Sequence, residues 1–243
     1  MTENEASIYF ITGLAGSGKT SFLAKAHQLL TDAGKRVYIV NLDPAAQITY
    51  VPVNLDIRDY IDFEKLCVDN NTGPNGGILL ALNLFAATID QFVNIVQKRL
   101  KTHDYILIDT PGQMELLLWS ASGNVMVDNL KKICKKMHIL YMLDKSQCRK
   151  DNKGYLSSNV LLFSTIQNQM QAGELVVFNK CDKDLDEYKD ENEEENLHNG
   201  LEYENGLHNE ILETFGEQFS KSPRFYISAV TGEGVNEIFN YNH

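Results

Sequence analysis

Basic residues are in short supply here, since the 243 residues include only 22 lysines and arginines against 33 aspartates and glutamates. The formal net charge is −11, and a surface of that sign repels polyanions. The composition therefore argues against a broad surface for the phosphate backbone, and no direct nucleic-acid partner is expected. A local basic cradle for one nucleotide is still compatible with this charge.

Cysteines and long apolar runs are sparse as well. The four cysteines form no C-x-x-C pair and fit no usual zinc module, which predicts scattered reduced thiols in a cytoplasmic protein. No stretch of about 18 uncharged apolar residues occurs, so no transmembrane helix and no membrane partner are expected. The opening MTENEASIYF carries acids in place of a basic segment, so no secretory signal is predicted.

Short apolar runs alternate with segments of helical spacing along most of the sequence. The predicted strands are residues 7–12, 36–42, 105–109, 139–143, 175–179 and 225–228. The predicted helices are residues 21–30, 61–69, 78–100 as one helix or two, most of 114–137, and 160–171. This alternation predicts an α/β fold, a three-layer doubly wound and mostly parallel sheet covered by helices on both faces.

A single domain over residues 1–243 is expected, with four departures from the simple alternation. A glycine-rich insertion at about 70–78 interrupts the helices, and residues 50–60 are expected to be irregular. A helical insertion at about 114–137 is rich in Leu, Met and Ile, which fits either core packing or a groove for apolar peptides. An acidic segment at about 182–205 fits either a solvated surface insertion or a docking surface for a basic partner.

The string GLAGSGKT at residues 13–20 lies between a predicted strand and a predicted helix and satisfies G-x-x-x-x-G-K-[ST]. Its glycines let the backbone wrap around phosphates, with successive N–H groups facing the anion. Lys19 is expected to reach the β- and γ-phosphates, and the Thr20 hydroxyl to bind Mg²⁺. The predicted nucleotide-contacting residues of this segment are Gly13, Gly16, Ser17, Gly18, Lys19, Thr20 and Ser21.

The string NKCD at residues 179–182 follows a predicted strand and indicates a preference for guanine. The Asp182 carboxylate can accept both N1–H and the 2-amino group of guanine, a donor pair that adenine lacks. Lys180 can lie along the base, and Asn179 can brace the surrounding loops. In SAVTG, which follows the last predicted strand, the Ala229 backbone N–H is expected to contact guanine O6.

Two further strings end predicted strands and supply candidate catalytic residues. In DTPGQ at residues 109–113, Asp109 is expected to hold Mg²⁺ through water, and the Gly112 N–H to sense the γ-phosphate. Gln113 stands where a glutamine can orient the attacking water. Asp43, in the string NLDPA, can point at the γ-phosphate from the opposite side and polarise that water, although Asp-Pro alone more often caps a helix.

Together with GPNGG at residues 73–77, these strings resemble the GPN-loop GTPases over roughly residues 7–239. The resemblance implies a Mg²⁺-dependent GTPase that binds GTP and GDP and acts as a homodimer or as a heterodimer with a GPN-loop paralogue. It also implies that Asn75 contacts the γ-phosphate region of the dimer partner. A neutral amide at that place provides positioning with little charge stabilisation, which predicts slow turnover.

Three more strings are similar to the first eukaryotic paralogue of that family: DIRD at 56–59, ALNLF at 81–85 and WSASG at 119–123. That similarity implies a role in the assembly and nuclear import of RNA polymerase II, with polymerase subunits or assembly factors as clients. It implies a cytoplasmic location with shuttling to the nucleus. An archaeal-type homodimer is the alternative, and tail functions such as export signalling are not carried over.

Two other functions compete with the GTPase as explanations of these strings. A nucleotide-gated binding module, whose work is done by the GTP-versus-GDP state, needs no appreciable hydrolysis. A P-loop kinase needs an arginine-rich lid, and none is readable in the sequence. The set of Asp43, Gln113 and Asn75 favours real hydrolysis.

Overall fold

The computed structural model describes residues 6–47, 51–118, 120–148, 152–170, 172–182 and 222–241. These residues contain one seven-stranded sheet, in which every neighbouring pair of strands is parallel. The strands are β1 (Ser7–Thr12), β2 (Val37–Asn41), β3 (Leu55–Asp56), β4 (Tyr105–Asp109), β5 (Met137–Asp144), β6 (Gly173–Asn179) and β7 (Arg224–Tyr226). Their spatial order is β3-β2-β4-β1-β5-β6-β7. The predicted parallel α/β sheet is thereby confirmed.

Helices cover both faces of this sheet. They are α1 (Lys19–Asp32), α2 (Phe63–Asp69), α3 (Pro74–Ala86), α4 (Ile89–Leu100), α5 (Met114–Leu118), α6 (Ala121–Ile133), α7 (Lys153–Met170) and α8 (Val235–Asn240). The alternation of strand side chains produces two cores: in β4, Ile106 and Ile108 pack under α3, α4, α6 and α7, whereas Leu107 packs under α1 and α8. The three-layer arrangement therefore follows from strands that are apolar on both faces.

One short strand, β3, and one short helix, α8, were not predicted from the sequence. Residues 50–60 were expected to be irregular, but Leu55–Asp56 pair with the end of β2, and a 3₁₀ turn follows at Ile57–Asp59. The unpredicted helix α8 packs on α1. A strand of two residues and a helix of six are too short for their periodicity to show in the sequence.

The GPNGG string begins a helix, whereas the sequence predicted an interruption between helices there. Gly73 is the extended N-cap of α3, and Pro74 occupies the first helical position, where its fixed φ is favourable and its missing N–H costs no bond. Gly77 lies against α2, where a Cβ would approach Cys67 Sγ to 2.3 Å. Of the two predicted alternatives for residues 78–100, the structure has two helices, α3 and α4.

The predicted helical segment 114–137 is divided between elements. Ser120 caps a new helix, α6, by accepting a hydrogen bond from the Gly123 N–H, and Met137 already belongs to β5. Within this segment Met114, Leu117, Met126 and Leu130 are fully buried, so these side chains pack in the core.

Two predictions made from the sequence fall partly outside the described residues. The predicted acidic segment 182–205 lies outside them except for Asp182, and Trp119 of the 119–123 string lies outside them as well.

Within the described part of the chain, no single helix is long and apolar enough to cross a membrane, and α3 with α4 passes that test only as a pair bent by 71°.

Candidate functional site

A cleft of about 440 Å³ opens at the carboxyl ends of β1, β2 and β4. Helix α1 points its N-terminus into this cleft, because the loop after β1 leads directly into that helix. Open parallel sheets bind ligands at this edge, where helix N-termini and strand ends meet. The predicted site residues that line the cleft are Gly16, Gly18, Lys19, Thr20, Ser21, Asp43, Asp109, Gly112 and Lys180.

The loop of residues 13–20 has the backbone geometry that a phosphate loop requires. Gly13, Gly16 and Gly18 all have φ in the left-handed region, at 139°, 81° and 92°. At Gly13 a Cβ would also lie 2.4 Å from the Met142 carbonyl oxygen, and at Gly18 it would lie 2.2 Å from Asn179 Nδ2. Since only glycine tolerates both the dihedral angle and the close approach, these positions explain the motif physically.

Lys19 lies across this loop. Its ammonium donates hydrogen bonds to the carbonyl oxygens of Gly13 at 2.7 Å and Leu14 at 3.2 Å. Burial lowers the pKa of Lys19, while the charges of Asp109 and Asp43 act in the opposite direction. The cation is therefore held at the floor of the cleft with two carboxylates nearby.

Those two carboxylates end neighbouring strands. Asp109 accepts a hydrogen bond from the Thr110 N–H, and burial raises its pKa to about 7 although Lys19 opposes the shift. Asp43 follows β2 and accepts a hydrogen bond from the Ala45 N–H at 2.9 Å; burial raises its pKa as well. Two partly uncompensated carboxylates at one edge of the cleft favour the approach of a cation.

The donor set fits Mg²⁺ bound together with a phosphate ligand. Thr20 and Asp109 both line the cleft and offer a hydroxyl and a carboxylate oxygen, the hard donors that Mg²⁺ prefers. Among the described residues no group of three or more His, Cys, Asp or Glu side chains could hold a metal by itself. A Mg²⁺ site that is shared with substrate phosphates needs only one or two ligands from the protein.

Asn179 connects the end of β6 to two other loops. Its Nδ2 donates to the Ser17 carbonyl oxygen at 2.9 Å, and its Oδ1 accepts from the Ala229 N–H at 3.0 Å. The bracing that the sequence predicted for Asn179 is thus visible as two buried hydrogen bonds. The Ala229 N–H, predicted to contact guanine O6, is engaged with Asn179, so a contact with the base would have to share this donor.

Lys180 is also tied to the phosphate loop. Its ammonium donates to the Gly16 carbonyl oxygen at 2.7 Å and pairs with Asp144 Oδ2 at 2.5 Å. Asp144 was not singled out in the sequence, because its approach depends on the β5–β6 register that places it opposite Asn179. In the sequence, Asp144 could have been noticed only because it directly follows a predicted strand.

Three polar atoms around the site are buried and lack a hydrogen-bond partner within the described residues. They are Ser17 Oγ, Gln113 Oε1 and Asp182 Oδ1. An unpaired buried acceptor is costly, so such atoms mark places where a ligand supplies the missing donor. Asp182 is the residue that the sequence assigned to guanine, and Gln113 the one assigned to the attacking water.

Of the three predicted catalytic residues, only Asp43 lines the cleft; Gln113 directly follows the lining residue Gly112, whereas Asn75 belongs to a different element. It lies in the first turn of α3, is exposed, and is not among the residues that line the cleft. The structure of one chain therefore brings together Asp43 and Asp109 with the phosphate loop but leaves Asn75 outside. Its predicted contact with the γ-phosphate region of a dimer partner stays a prediction.

A phosphate loop that opens the first helix, carboxylates at adjacent strand ends and NKCD at the end of β6 define a P-loop nucleotide-binding protein. A family model described as "Conserved hypothetical ATP binding protein" matches residues 11–242. The chain is 38% identical over 180 residues to GPN-loop GTPase 1 of Schizosaccharomyces pombe, covering 74% of this chain and 48% of that protein. It is 34% identical over 241 residues to GPN-loop GTPase 1 of Dictyostelium discoideum, covering 94% and 59%. The chain belongs to this family, the GPN-loop GTPases.

A solved structure agrees with this assignment. A GTPase from Pyrococcus abyssi, crystallised in its apo form, superposes with a TM-score of 0.74 at 25% identity, covering 96% of this chain and 95% of that one. Proteins named GPN-loop GTPase 2 and GPN-loop GTPase 3 also match the chain. The chain spans about half to three fifths of the length of the two GPN-loop GTPase 1 relatives.

Proposed function

We propose that this chain binds GTP and hydrolyses it to GDP and phosphate as a Mg²⁺-dependent dimer. The observation that carries the choice of base is the buried Oδ1 of Asp182, which has no hydrogen-bond partner among the described residues and follows the braced Asn179. Guanine offers N1–H and a 2-amino group to such a carboxylate, whereas adenine would leave it unpaired. The Asp182 carboxylate therefore supports guanine, even though the family model is described by ATP binding.

The described residues divide the work of phosphate binding and hydrolysis. The N–H groups of residues 13–20 bind the phosphates, and the Lys19 ammonium exchanges its carbonyl partners for phosphate oxygens. Thr20 and Asp109 would hold Mg²⁺, which neutralises charge on the phosphates when bound. Asp43 and Gln113 orient and polarise the attacking water, and the unpartnered Gln113 Oε1 supplies an acceptor for it.

The second candidate function is a nucleotide-gated binding module, and one observation favours it for a lone chain. Asn75 is exposed and does not line the cleft of its own chain, which leaves its side chain available to a second chain. Hydrolysis would then depend on a second chain, either another copy or a paralogue. Nucleotide binding, which uses residues of one cleft, would not depend on it.

The cellular role is proposed from similarity to the first eukaryotic paralogue. Relatives named GPN-loop GTPase 1 match the chain at 34% and 38% identity, which supports the paralogue assignment. We propose that the nucleotide cycle assists the assembly and nuclear import of RNA polymerase II, with its subunits or assembly factors as clients. The chain would act in the cytoplasm and shuttle to the nucleus.

Turnover measured against protein concentration tests the enzymatic proposal. We expect GTP hydrolysis per chain to rise with concentration to a plateau, and ATP to be hydrolysed far more slowly. Asn75→Ala should lower kcat about tenfold, the effect of roughly one hydrogen bond in the transition state, with nucleotide affinity changed less than threefold. Asn83→Ala, a change at another exposed position on α3, is the matched control and should leave kcat unaltered.

Tight GTP binding without turnover at any concentration would leave the nucleotide-gated module as the function. Activity that does not depend on concentration, together with a normal Asn75→Ala variant, would remove the second chain from the mechanism. Equal hydrolysis of ATP and GTP would overturn the assignment of Asp182 to guanine.

A further inference from the structure

We propose that Arg58 is a positioning residue for Asp43, acting through Asp56, Asn41 and the carbonyl of Ala46. The inference rests on the proposed function, because Asp43 matters for turnover only if the chain hydrolyses GTP. In the sequence, Arg58 and Asp56 stand out only as part of a string that resembles one paralogue. The structure assigns them a place in the site.

Asn41 holds the backbone of Asp43 from one side. Its Oδ1 accepts from the Asp43 N–H at 3.0 Å, and its Nδ2 donates to the Asp43 carbonyl oxygen at 3.2 Å. The same Nδ2 donates its other hydrogen to Asp56 Oδ1 at 3.0 Å. Since Asn41 is buried and every polar atom of its side chain is used, it fixes the backbone of Asp43 in one orientation.

Asp56 of β3 and Arg58 of the 3₁₀ turn that follows it complete the network. The guanidinium binds Asp56 in a bidentate manner, with Nε donating to Oδ1 at 2.9 Å and Nη2 to Oδ2 at 2.6 Å. Its remaining nitrogen, Nη1, donates to the Ala46 carbonyl oxygen at 2.7 Å. Arg58 therefore reaches across to the loop that follows Asp43 as well as to its own carboxylate partner.

The result is a loop held at both ends. Residues 43–46 connect Asn41 at one end to the guanidinium of Arg58 at the other, and both Asp43 and Ala46 line the cleft. The Asp43 carboxylate is further fixed within the loop by the Ala45 N–H. Misplacement of a reacting group by about 1 Å can cost up to 100-fold in rate, so a loop held in this way has a direct consequence for turnover.

The bond network distinguishes this role from an ordinary ion pair. A surface Arg–Asp pair by itself contributes little to the stability of a protein. The same chain contains such a pair at the opposite end of the sheet, where Arg36 binds Asp104 through Nε and Nη2. That pair contacts neither the cleft nor Asp43, so Arg36→Gln is the matched control for Arg58→Gln.

The test combines kinetics with amide hydrogen exchange followed residue by residue by NMR. In Arg58→Gln we expect kcat for GTP to fall about 10- to 100-fold while nucleotide affinity changes less than threefold. The Asp43 and Ala45 amides, which donate within the network, should exchange about tenfold faster. Arg58→Lys, which keeps the charge but loses the bidentate fork, should recover only part of kcat, and Arg36→Gln should change neither quantity.

Exchange does not depend on turnover, so the two proposals can fail separately. If the wild-type chain hydrolyses no GTP but Arg58→Gln still loosens the two amides, the proposed function falls and the positioning role of Arg58 stands. If the amides are unchanged, or if they loosen while kcat stays normal in an active enzyme, the inference is overturned. Should Arg58→Gln fail to fold, Asp56→Asn and Arg58→Lys decide by the same measurements.

Discussion

At the scale of single residues, the cleft concentrates groups that oppose folding. Asp109 is buried at the end of β4, and the nearby Asp43 carboxylate adds to the cost of its ionisation. The Lys19 cation and the Thr110 N–H compensate for this only in part, because the pKa of Asp109 still rises to about 7. Functional sites commonly retain such groups at the expense of stability.

We predict that Asp109→Asn stabilises the chain at pH 8 in the absence of nucleotide and divalent cations. The folded-state pKa of Asp109 is raised to about 7 from an ordinary value near 3.8, so between these values the folded state binds more protons than the unfolded state. Stability from this group therefore falls as pH rises through that window. An asparagine side chain does not titrate. The Tm of Asp109→Asn at pH 8, measured by calorimetry, should therefore exceed that of the wild type by about 5 °C.

The control is Asp104→Asn, at the other end of the same strand. Hydrogen bonds from Arg36 lower the pKa of Asp104, which is the opposite direction, so this change should bring no gain at pH 8. A Tm of Asp109→Asn at or below the wild-type value would show that burial of Asp109 carries no net cost.

At the scale of elements, the junction of α5 and α6 depends on close backbone packing. Ser120 Oγ donates to the Leu117 carbonyl oxygen at 2.9 Å and accepts from the Gly123 N–H at 3.2 Å. Gly123 lies so close to α5 that a Cβ would approach the Leu117 carbonyl oxygen to 2.0 Å. Since α5 directly follows Gln113, this junction also holds in place the helix that begins next to that candidate catalytic residue.

We predict that Gly123→Ala destabilises the chain by about 1–3 kcal/mol, the usual cost of forcing extra volume into a packed place. The measurement is equilibrium unfolding in urea. Gly154→Ala is the matched change in α7, where a Cβ meets nothing within 4 Å, and it should stabilise by about 0.5–1 kcal/mol. Wild-type stability in Gly123→Ala would mean that α5 can move aside freely.

At the scale of the whole molecule, the cleft is assembled from distant parts of the chain. Asn179 on β6 binds the carbonyl of Ser17 across 162 positions of sequence, and Lys180 binds Gly16 across 164. The phosphate loop follows β1 in the middle of the sheet, so a nucleotide bound there would contact segments that the sheet holds in place. Nucleotide binding should therefore be linked to global stability.

We predict that GDP, at 100 times its Kd, raises the Tm by about 5–10 °C. Linkage at this saturation contributes about 2.7 kcal/mol, and a chain of this size gains about 2–4 °C per kcal/mol. ADP at the same concentration should give a much smaller shift. In Asp182→Asn, the difference between the GDP and ADP shifts should shrink, and equal shifts in the wild type would contradict guanine selection.

Much of the architecture could be predicted because strands and the phosphate loop impose their residue types locally, within a few positions of the sequence. Buried parallel strands are short runs of apolar residues whatever their neighbours, and six of the seven strands were predicted in this way. The left-handed φ at Gly13, Gly16 and Gly18 is likewise a demand of the loop itself, so glycine and lysine spacing identified the phosphate loop. The sequence by itself therefore determined the fold class and the segments that form the cleft.

Only the tertiary structure decided which side chains meet. The pair Asp144–Lys180, the bond from Asn41 to Asp56 and the bond from Asn179 to Ala229 depend on strand order and register. Strand β3 exists because the end of β2 offers it an open edge. A local pattern encodes which residues are buried, but not which strand becomes the neighbour of another. For that physical reason the contacts that position Asp43 could be recognised only in the folded chain.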